Sequence, residues 1–547
     1  MTPIDRTASL SRSAAEARAK SWADRWPWWA LCAGLAALMI LSPLAVGFRL
    51  PYWVHADQDL VLAYHGLLFN QGLPQEYFDH PGYTYFLVIA GWYRLLHALG
   101  LMPVITLTGL PPAADPAVYD AAWQGLIEAG RALSIVITTA FVLVYATLMR
   151  ALVGDRRIAL LSAVVLAFGI GVSTQARQMR TDLLSASFVV TALLLVLVAI
   201  RTAPGWRPVL LLGLAGLLAS LAVVTKIQAI FLALGIPVIA LVFGRRFAGQ
   251  GGSWFGTGLA AGVLLVAAGA AAVPAVALIQ HGIANAGHAL YPYRSVGGGL
   301  SGVYQGVIVG WVFLGMAVYA TVWRVRPAYA LSCMAAVALG LALGVLALDI
   351  RYHEQNVIAV SNLIEHMFVF TTWKHQALEG QGQVLSDGLF TLLAKGVWRT
   401  LAIRTIVFHP DNIPQTVVVE WFVIAGVVIL WRRGERPAAF QAALLLLVAW
   451  GLESLFALRG FQRAYAAYTD PLVALAAAWV LMHMPGLLDR AKTRRWIYGL
   501  VVLVVVAAHA WPIIETRRLP NPATHCDWIP IYMPKGEPFP FCKALPK

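Results

Sequence analysis

Two aspartates follow directly after the first long apolar run, in the stretch HADQD: Asp57 and Asp59. A carboxylate held near a membrane plane is expensive unless it is used, and partial desolvation raises its pKa toward the range of a working general base. Asp59 could equally cap a helix beginning beside it. A second group, Asp79 and His80 in YFDHPGYTYF, precedes a Pro-Gly bend, and such residues are also ordinary turn chemistry. A third, QARQMRTD, places Arg177, Arg180 and Asp182 in a very short turn between two apolar runs. Arginines at such junctions are often plain anchors. Lys226 stands alone in VVTKIQA, again between apolar runs, where a lysine either snorkels or meets an anion. Tyr291, Arg294, Arg459 and Arg463 complete the candidates. Guanidinium and ammonium groups gathered on one side of a membrane suit a phosphate or pyrophosphate.

The chain carries no Walker loop, no dinucleotide fingerprint and no Cys/His zinc spacing, which argues against nucleotide-driven chemistry and implies no metal site. No cofactor is implied; a divalent metal is compatible with the acids.

The elements that must position these residues are apolar helices. Of 547 residues, 60% are apolar and only 12% charged, and the mean hydropathy is +0.72. Apolar runs of roughly 18–22 residues recur, each able to cross a hydrocarbon core of about 30 Å. The fold class is therefore all-α and polytopic, because a helix satisfies its own backbone in lipid. Spans are expected at 28–49, 131–151, 157–174, 183–200, 208–224, 227–243, 254–279, 303–323, 329–348, 415–431, 438–458, 467–485 and 496–514. The net charge of +14 sits in short arginine-rich turns at Arg150/Arg156/Arg157, Arg201/Arg207, Arg245/Arg246, Arg324/Arg326, Arg432/Arg433/Arg436 and 490–495. That is the positive-inside pattern and argues against a nucleic-acid partner.

One further apolar stretch, 82–101, is rich in Tyr83, Tyr85, Trp92 and Tyr93 and broken by Arg94 and His97. Read as an interfacial helix, it leaves about thirteen crossings, a cytoplasmic N-terminus and an extracytoplasmic C-terminus. Residues 50–130 then form one long outer loop with two surface helices, about 58–70 and 82–100. Cys526 and Cys542, in a Pro-rich tail, suggest a disulfide in an oxidising compartment. The chain divides into a cytoplasmic N-terminus (1–27), a first membrane module (28–279), a second (280–514, with an outer loop at 349–414) and an outer tail (515–547). The polar chain is concentrated outside, so chemistry is expected there.

With these residues placed, the chain resembles the GT-C superfamily of integral-membrane glycosyltransferases, most nearly the bacterial aminoarabinose transferases of lipid A and the protein O-mannosyltransferases. Asp57, with Gly72 at the end of the surface helix, is similar to the family's Asp-Glu motif, although Gln58 stands where Glu is usual. The stretch from Asp79 through Pro81 to Gly82 resembles a Glu-Lys-Pro-Pro segment whose lysine helps hold a lipid phosphate. Arg180 and Asp182 resemble an Arg…Asp motif, and Lys226 a lysine after the fifth span. RGFQRAYAAYTDPLVALAAAW is loosely similar to a late Arg-Tyr-Pro segment.

The resemblance implies a GT-C fold and inverting transfer of a sugar from a polyprenyl-phosphate donor to an acceptor hydroxyl. In that scheme Asp57 acts as base, Lys226, Arg180 and His80 hold the departing phosphate, and Asp182 orients a base or binds acceptor. The partners it implies are the lipid-linked donor, an envelope glycan, lipid or protein acceptor, and membrane lipid, at a bacterial inner membrane. A lipid-linked oligosaccharide polymerase or ligase is the nearer alternative. A transporter or flippase is the farther one, since the sequence shows no internal repeat of broken helices.

Overall fold

The computed structural model describes residues 22–76, 82–246, 254–285, 303–350, 389–406, 414–456, 465–484, 486–517, 519 and 521–543. Among these residues every regular element is a helix, and the protein is an all-α, multi-pass membrane protein. Helix α1 (Trp28–Ala45) leads into two short helices, α2 (Ala56–Asn70) and α3 (Tyr83–Ala98). At 16 residues α3 is about 24 Å long, short of a hydrocarbon core of about 30 Å. It buries its aromatic face, Tyr83, Tyr85, Phe86 and Tyr93, against its neighbours. Gly66 of α2 permits this approach: a Cβ there would stand 3.1 Å from Ile89 and Tyr93.

Helix α4 (Pro116–Val153) departs from expectation. The apolar run 131–151 is only its second half; the helix starts fifteen residues earlier (131 − 116) and has 38 residues. The cause is local. Asp115 accepts from the backbone N–H of Val118 at 3.4 Å, and Pro116 takes the first helical position, where its missing N–H is not needed. Gly154, in the left-handed region at φ +76°, stops the helix. Its length of about 57 Å exceeds a hydrocarbon core of about 30 Å, and its first half packs beside α2 and α3.

The remaining helices are α5 (Arg156–Ala167), α6 (Ile170–Gln175), α7 (Thr181–Ala199), α8 (Trp206–Thr225), α9 (Ala229–Phe243), α10 (Trp254–Asn285), α11 (Val303–Val322) and α12 (Pro327–Leu346). After them come α13 (Leu389–Thr405), α14 (Pro414–Arg432), α15 (Arg436–Phe456), α16 (Ala466–His483) and α17 (Ala491–Arg517). Among the described residues, eight helices are long and apolar enough to cross a membrane, and Ala229–Phe243 and Gly306–Val322 are shorter apolar stretches. The expected span 157–174 is not one helix but two, α5 and α6, broken at Phe168 and Gly169. Helix α16 forces the break. A Cβ on Gly171 would lie 2.0 Å from the backbone nitrogen of Ala467, and Gly171 donates its N–H to Asp470 at 3.0 Å.

The buried apolar residues form two large clusters. One fills the bundle, with Leu193, Leu445 and Trp479 in its interior. The other joins α2, α3 and the first half of α4 to Ile529, Met533 and Phe539 of the C-terminal tail. We call the end of the bundle that carries this second cluster the loop face, and the end that carries the arginine-rich turns the basic face.

Candidate functional site

Asp57 and Asp59 both lie in the first turn of α2, yet the helix period points them differently. Asp59 is fully buried. Arg131 of α4 pairs with it at 2.8 Å, and the backbone N–H of Met179 donates to its other oxygen at 2.7 Å. The same guanidinium donates to the carbonyls of Phe48, Leu50 and Pro51. Asp59 is thus a positioning group: it ties the start of α2 to α4 and to the turn that carries Arg180. Asp57 is exposed and bonded only loosely to the neighbouring Gln58 amide, at 3.3 Å.

Arg180 precedes α7 in an extended conformation, and Asp182 follows in the helix's first turn, where the helix N-terminus favours a carboxylate. Lys226 stands where α8 ends, its backbone extended at φ −154°. The three meet. Asp182 lies 3.4 Å from Arg180 Nε and 3.7 Å from Lys226 Nζ. Asp182 and Lys226 are at most 1% exposed, while the Arg180 side chain is 14% exposed. These are ion contacts rather than hydrogen bonds, for neither Asp182 oxygen accepts one. Two cations face one anion. The backbone N–H of Gly82, at the start of α3, donates to the carbonyl of Thr225 at 2.9 Å, so the surface layer is fastened beside Lys226 as well as beside Arg180.

Arg177 does something else. Its guanidinium reaches Ser173 O, Val46 O and Ser42 Oγ, and its chain packs on Gly47, whose φ of +90° and tight space exclude a side chain. It is a wall residue that pins the end of α1. Asp79, His80, Tyr291, Arg294, Arg459 and Arg463 lie outside the described residues.

The tail enters the site unexpectedly. Cys526 and Cys542 are joined in a disulfide, and the loop they close sits on the surface layer. Lys535 pairs with Glu76 at 2.5 Å, and its N–H donates to Tyr64 Oη at 3.1 Å. Glu537 accepts from the N–H of Ala113 and from Tyr119 Oη. Phe539 packs among Tyr52, Tyr119 and Trp123. His525 is near enough to Asp57 to feel its charge; burial nevertheless holds its pKa below the ordinary histidine value. Nothing in the sequence of the tail announces these contacts, because they depend on chain ends more than 400 residues apart.

A second buried charge group lies among α13, α14, α15 and α16. Arg404 of α13 meets Glu453 at 2.6 Å, Glu420 at 3.0 Å and Asp470 at 3.3 Å. Thr469, Trp450 and the Gly171 N–H complete the set. Its signal was legible: Glu420 in VVVEWFV and Glu453 in WGLESLF are carboxylates inside apolar runs, where charge is rarely idle.

No family model and no curated protein matches this chain. Among solved structures it is similar to the oligosaccharyltransferase of Archaeoglobus fulgidus. The apo form aligns with a TM-score of 0.44 at 13% identity, over 96% of this chain and 62% of that one. The complex with zinc and sulfate aligns with a TM-score of 0.39 at 15% identity, over 94% and 58%. The chain spans about three-fifths of the length of that enzyme.

Proposed function

We propose that this protein is a membrane glycosyltransferase that moves a sugar from a polyprenyl-phosphate donor to an acceptor hydroxyl at its loop face. The observation that carries the reading is the juxtaposition just described: a buried site with one more cation than anion, fastened by Asp59 and Gly82 to a surface layer that presents an exposed Asp57. A lipid phosphate entering beside Arg180 and Lys226 would meet two cations that share the single carboxylate of Asp182. The motif resemblance at Asp57, Arg180, Asp182 and Lys226 supports the same assignment.

The chemistry is a single displacement. The Asp57 carboxylate takes the proton of the acceptor hydroxyl as its oxygen bonds to the anomeric carbon. The bond from that carbon to the phosphate oxygen breaks, and its electron pair leaves on the lipid phosphate. Arg180 and Lys226 stabilise the charge that develops there. Attack opposite the leaving group inverts the anomeric centre. The positive-inside distribution supports a reading in which this face lies outside a bacterial inner membrane and the N-terminus is cytoplasmic.

The test compares envelope glycolipids by mass spectrometry in a deletion strain complemented with wild type or with Asp57→Asn. We expect one sugar mass to be missing with the variant, while its expression and thermal midpoint in detergent match wild type. Full transfer by Asp57→Asn would overturn the base assignment. Passage of a lipid-linked sugar across vesicles without transfer would overturn the enzyme.

A further inference from the structure

The first turn of α7 and the turn that joins α8 to α9 deliver Arg180, Asp182 and Lys226, and each segment carries an uncharged polar residue beside them. Thr181 stands between Arg180 and Asp182. Gln228 stands two residues after Lys226, in a turn closed by the Ala229 N–H on the Lys226 carbonyl at 3.2 Å. Ser185 lies three and four residues beyond Asp182 and Thr181, on the same side of α7. Its hydroxyl donates to the carbonyls of Ala222 at 2.8 Å and Lys226 at 3.4 Å, which holds the start of α7 against the end of α8.

The two uncharged side chains are buried and unbonded. Gln228 is 0% exposed and Thr181 3%. Among the described residues, neither the amide nitrogen nor the amide oxygen of Gln228 has a hydrogen-bond partner, and Thr181 Oγ1 has none. Gln228 holds the N-cap position of α9 without capping it, so the fold does not use the amide. A primary amide taken from water without partners lowers stability, and buried polar groups in native proteins are bonded with few exceptions. Its neighbours Ile227, Ala229 and Ile230 are buried apolar residues, so a leucine would fill this place at less cost. The amide therefore waits for a polar ligand.

We propose that Gln228, with Thr181, binds hydroxyls of the donor's sugar and so distinguishes the sugar-bearing lipid from the bare lipid phosphate. The inference rests on the function proposed above and adds the residues that read the sugar. A sugar hydroxyl is both donor and acceptor. One amide offers a donor and an acceptor, and can bond two hydroxyls of a single ring, while Thr181 offers a third bond. Two residues of chain span at most about 7 Å, a distance that one sugar phosphate bridges. A lipid phosphate without sugar would leave both side chains unfilled. A site built to bond a hydroxyl rejects the analogue that lacks it, because its own groups then stay unpaired. Once the sugar has moved to the acceptor, the spent carrier loses these bonds and is released.

The test uses the purified full-length chain in neutral detergent micelles. It is titrated separately with undecaprenyl phosphate and with undecaprenyl-phosphate glucose, galactose, mannose and arabinose, and bound lipid is read by native mass spectrometry. Wild type should bind at least one sugar-bearing lipid about tenfold more tightly than undecaprenyl phosphate, the net effect of one or two hydrogen bonds. Gln228→Leu should bind undecaprenyl phosphate as wild type does and lose that preference. Its thermal midpoint without ligand should equal or exceed the wild-type value, because an unbonded amide has been removed. Thr181→Val should lose part of the preference. A lower ligand-free midpoint for Gln228→Leu, or its failure to fold, would overturn the proposal, since a buried water would then bond the amide for structural ends. So would an equal loss of undecaprenyl phosphate and sugar-bearing lipid, or a wild type that prefers no sugar, and either result leaves the proposed transferase standing. If wild type binds none of these lipids, the proposed function falls as well.

Discussion

Two buried charge groups lie toward the same end of the bundle, and they are built in opposite ways. Around Arg404, one cation meets three carboxylates at 2.6 to 3.3 Å; Trp450 donates to Glu420 and the Gly171 N–H to Asp470, while Arg404 also donates to Thr469. Around Asp182, two cations stand 3.4 and 3.7 Å from one carboxylate, and the carboxylate accepts no hydrogen bond. The first group is closed. Its dense bonding pins α13, α14, α15 and α16 together and holds the α5–α6 break against Asp470. The second is loosely spaced, its two cations sharing one carboxylate. Buried ions that are densely bonded hold structure in register, whereas loosely spaced buried ions suit a site that admits an anionic ligand.

The sharpest way to break this comparison is Arg404→Met. It strands three buried carboxylates, and a loss of about 3–5 kcal/mol is expected, seen as a collapse of the thermal midpoint in detergent. Activity should fall only as the folded fraction falls. If the midpoint stays put while transfer vanishes, the two groups have exchanged roles. Lys226→Met is the mirror experiment. Transfer should drop by about 10²–10³-fold, the usual effect of removing one group that stabilises a developing anion, with the midpoint little changed because Arg180 still faces Asp182. Added undecaprenyl phosphate should raise the midpoint of wild type and not of this variant.

Acid lability needs separating from both groups, and His65 does so. Burial holds its ring neutral and lowers its pKa to about 4, with Val61 O and the Glu76 N–H as its bonds. An unfolded chain takes up this proton as pH falls through about 6.5, the native chain only near 4, so stability declines across that window by up to about 3 kcal/mol. In His65→Gln that part of the decline should disappear from a plot of midpoint against pH; if the full slope remains, protonation elsewhere causes it. The smallest effect is expected at Lys535. Its pair with Glu76 is half exposed, so Lys535→Ala should cost under about 1 kcal/mol. A larger loss would mean that the tail is fastened mainly by this pair and not by Phe539 and the disulfide.

The split between what sequence could and could not say follows from range. Apolar runs of membrane-crossing length, the arginine-rich turns, the short aromatic helix α3 and the nearness of Arg180 to Asp182 all arise from neighbours along the chain, where hydropathy and helix period act directly. The early start of α4 was within reach of the same reasoning, through Asp115 and Pro116. The different fates of Asp57 and Asp59 were not. Two residues apart, of one type, in one helical turn, they are told apart only by Arg131 and Met179, which arrive from 72 and 120 residues away. Likewise the break at Gly169 depends on Asp470, and the packing beneath α2 and α3 on a tail that follows the last long helix. Local sequence fixes which groups are available; burial and pairing, which decide what each group can do, come from packing between distant segments, and one sequence carries no direct record of that.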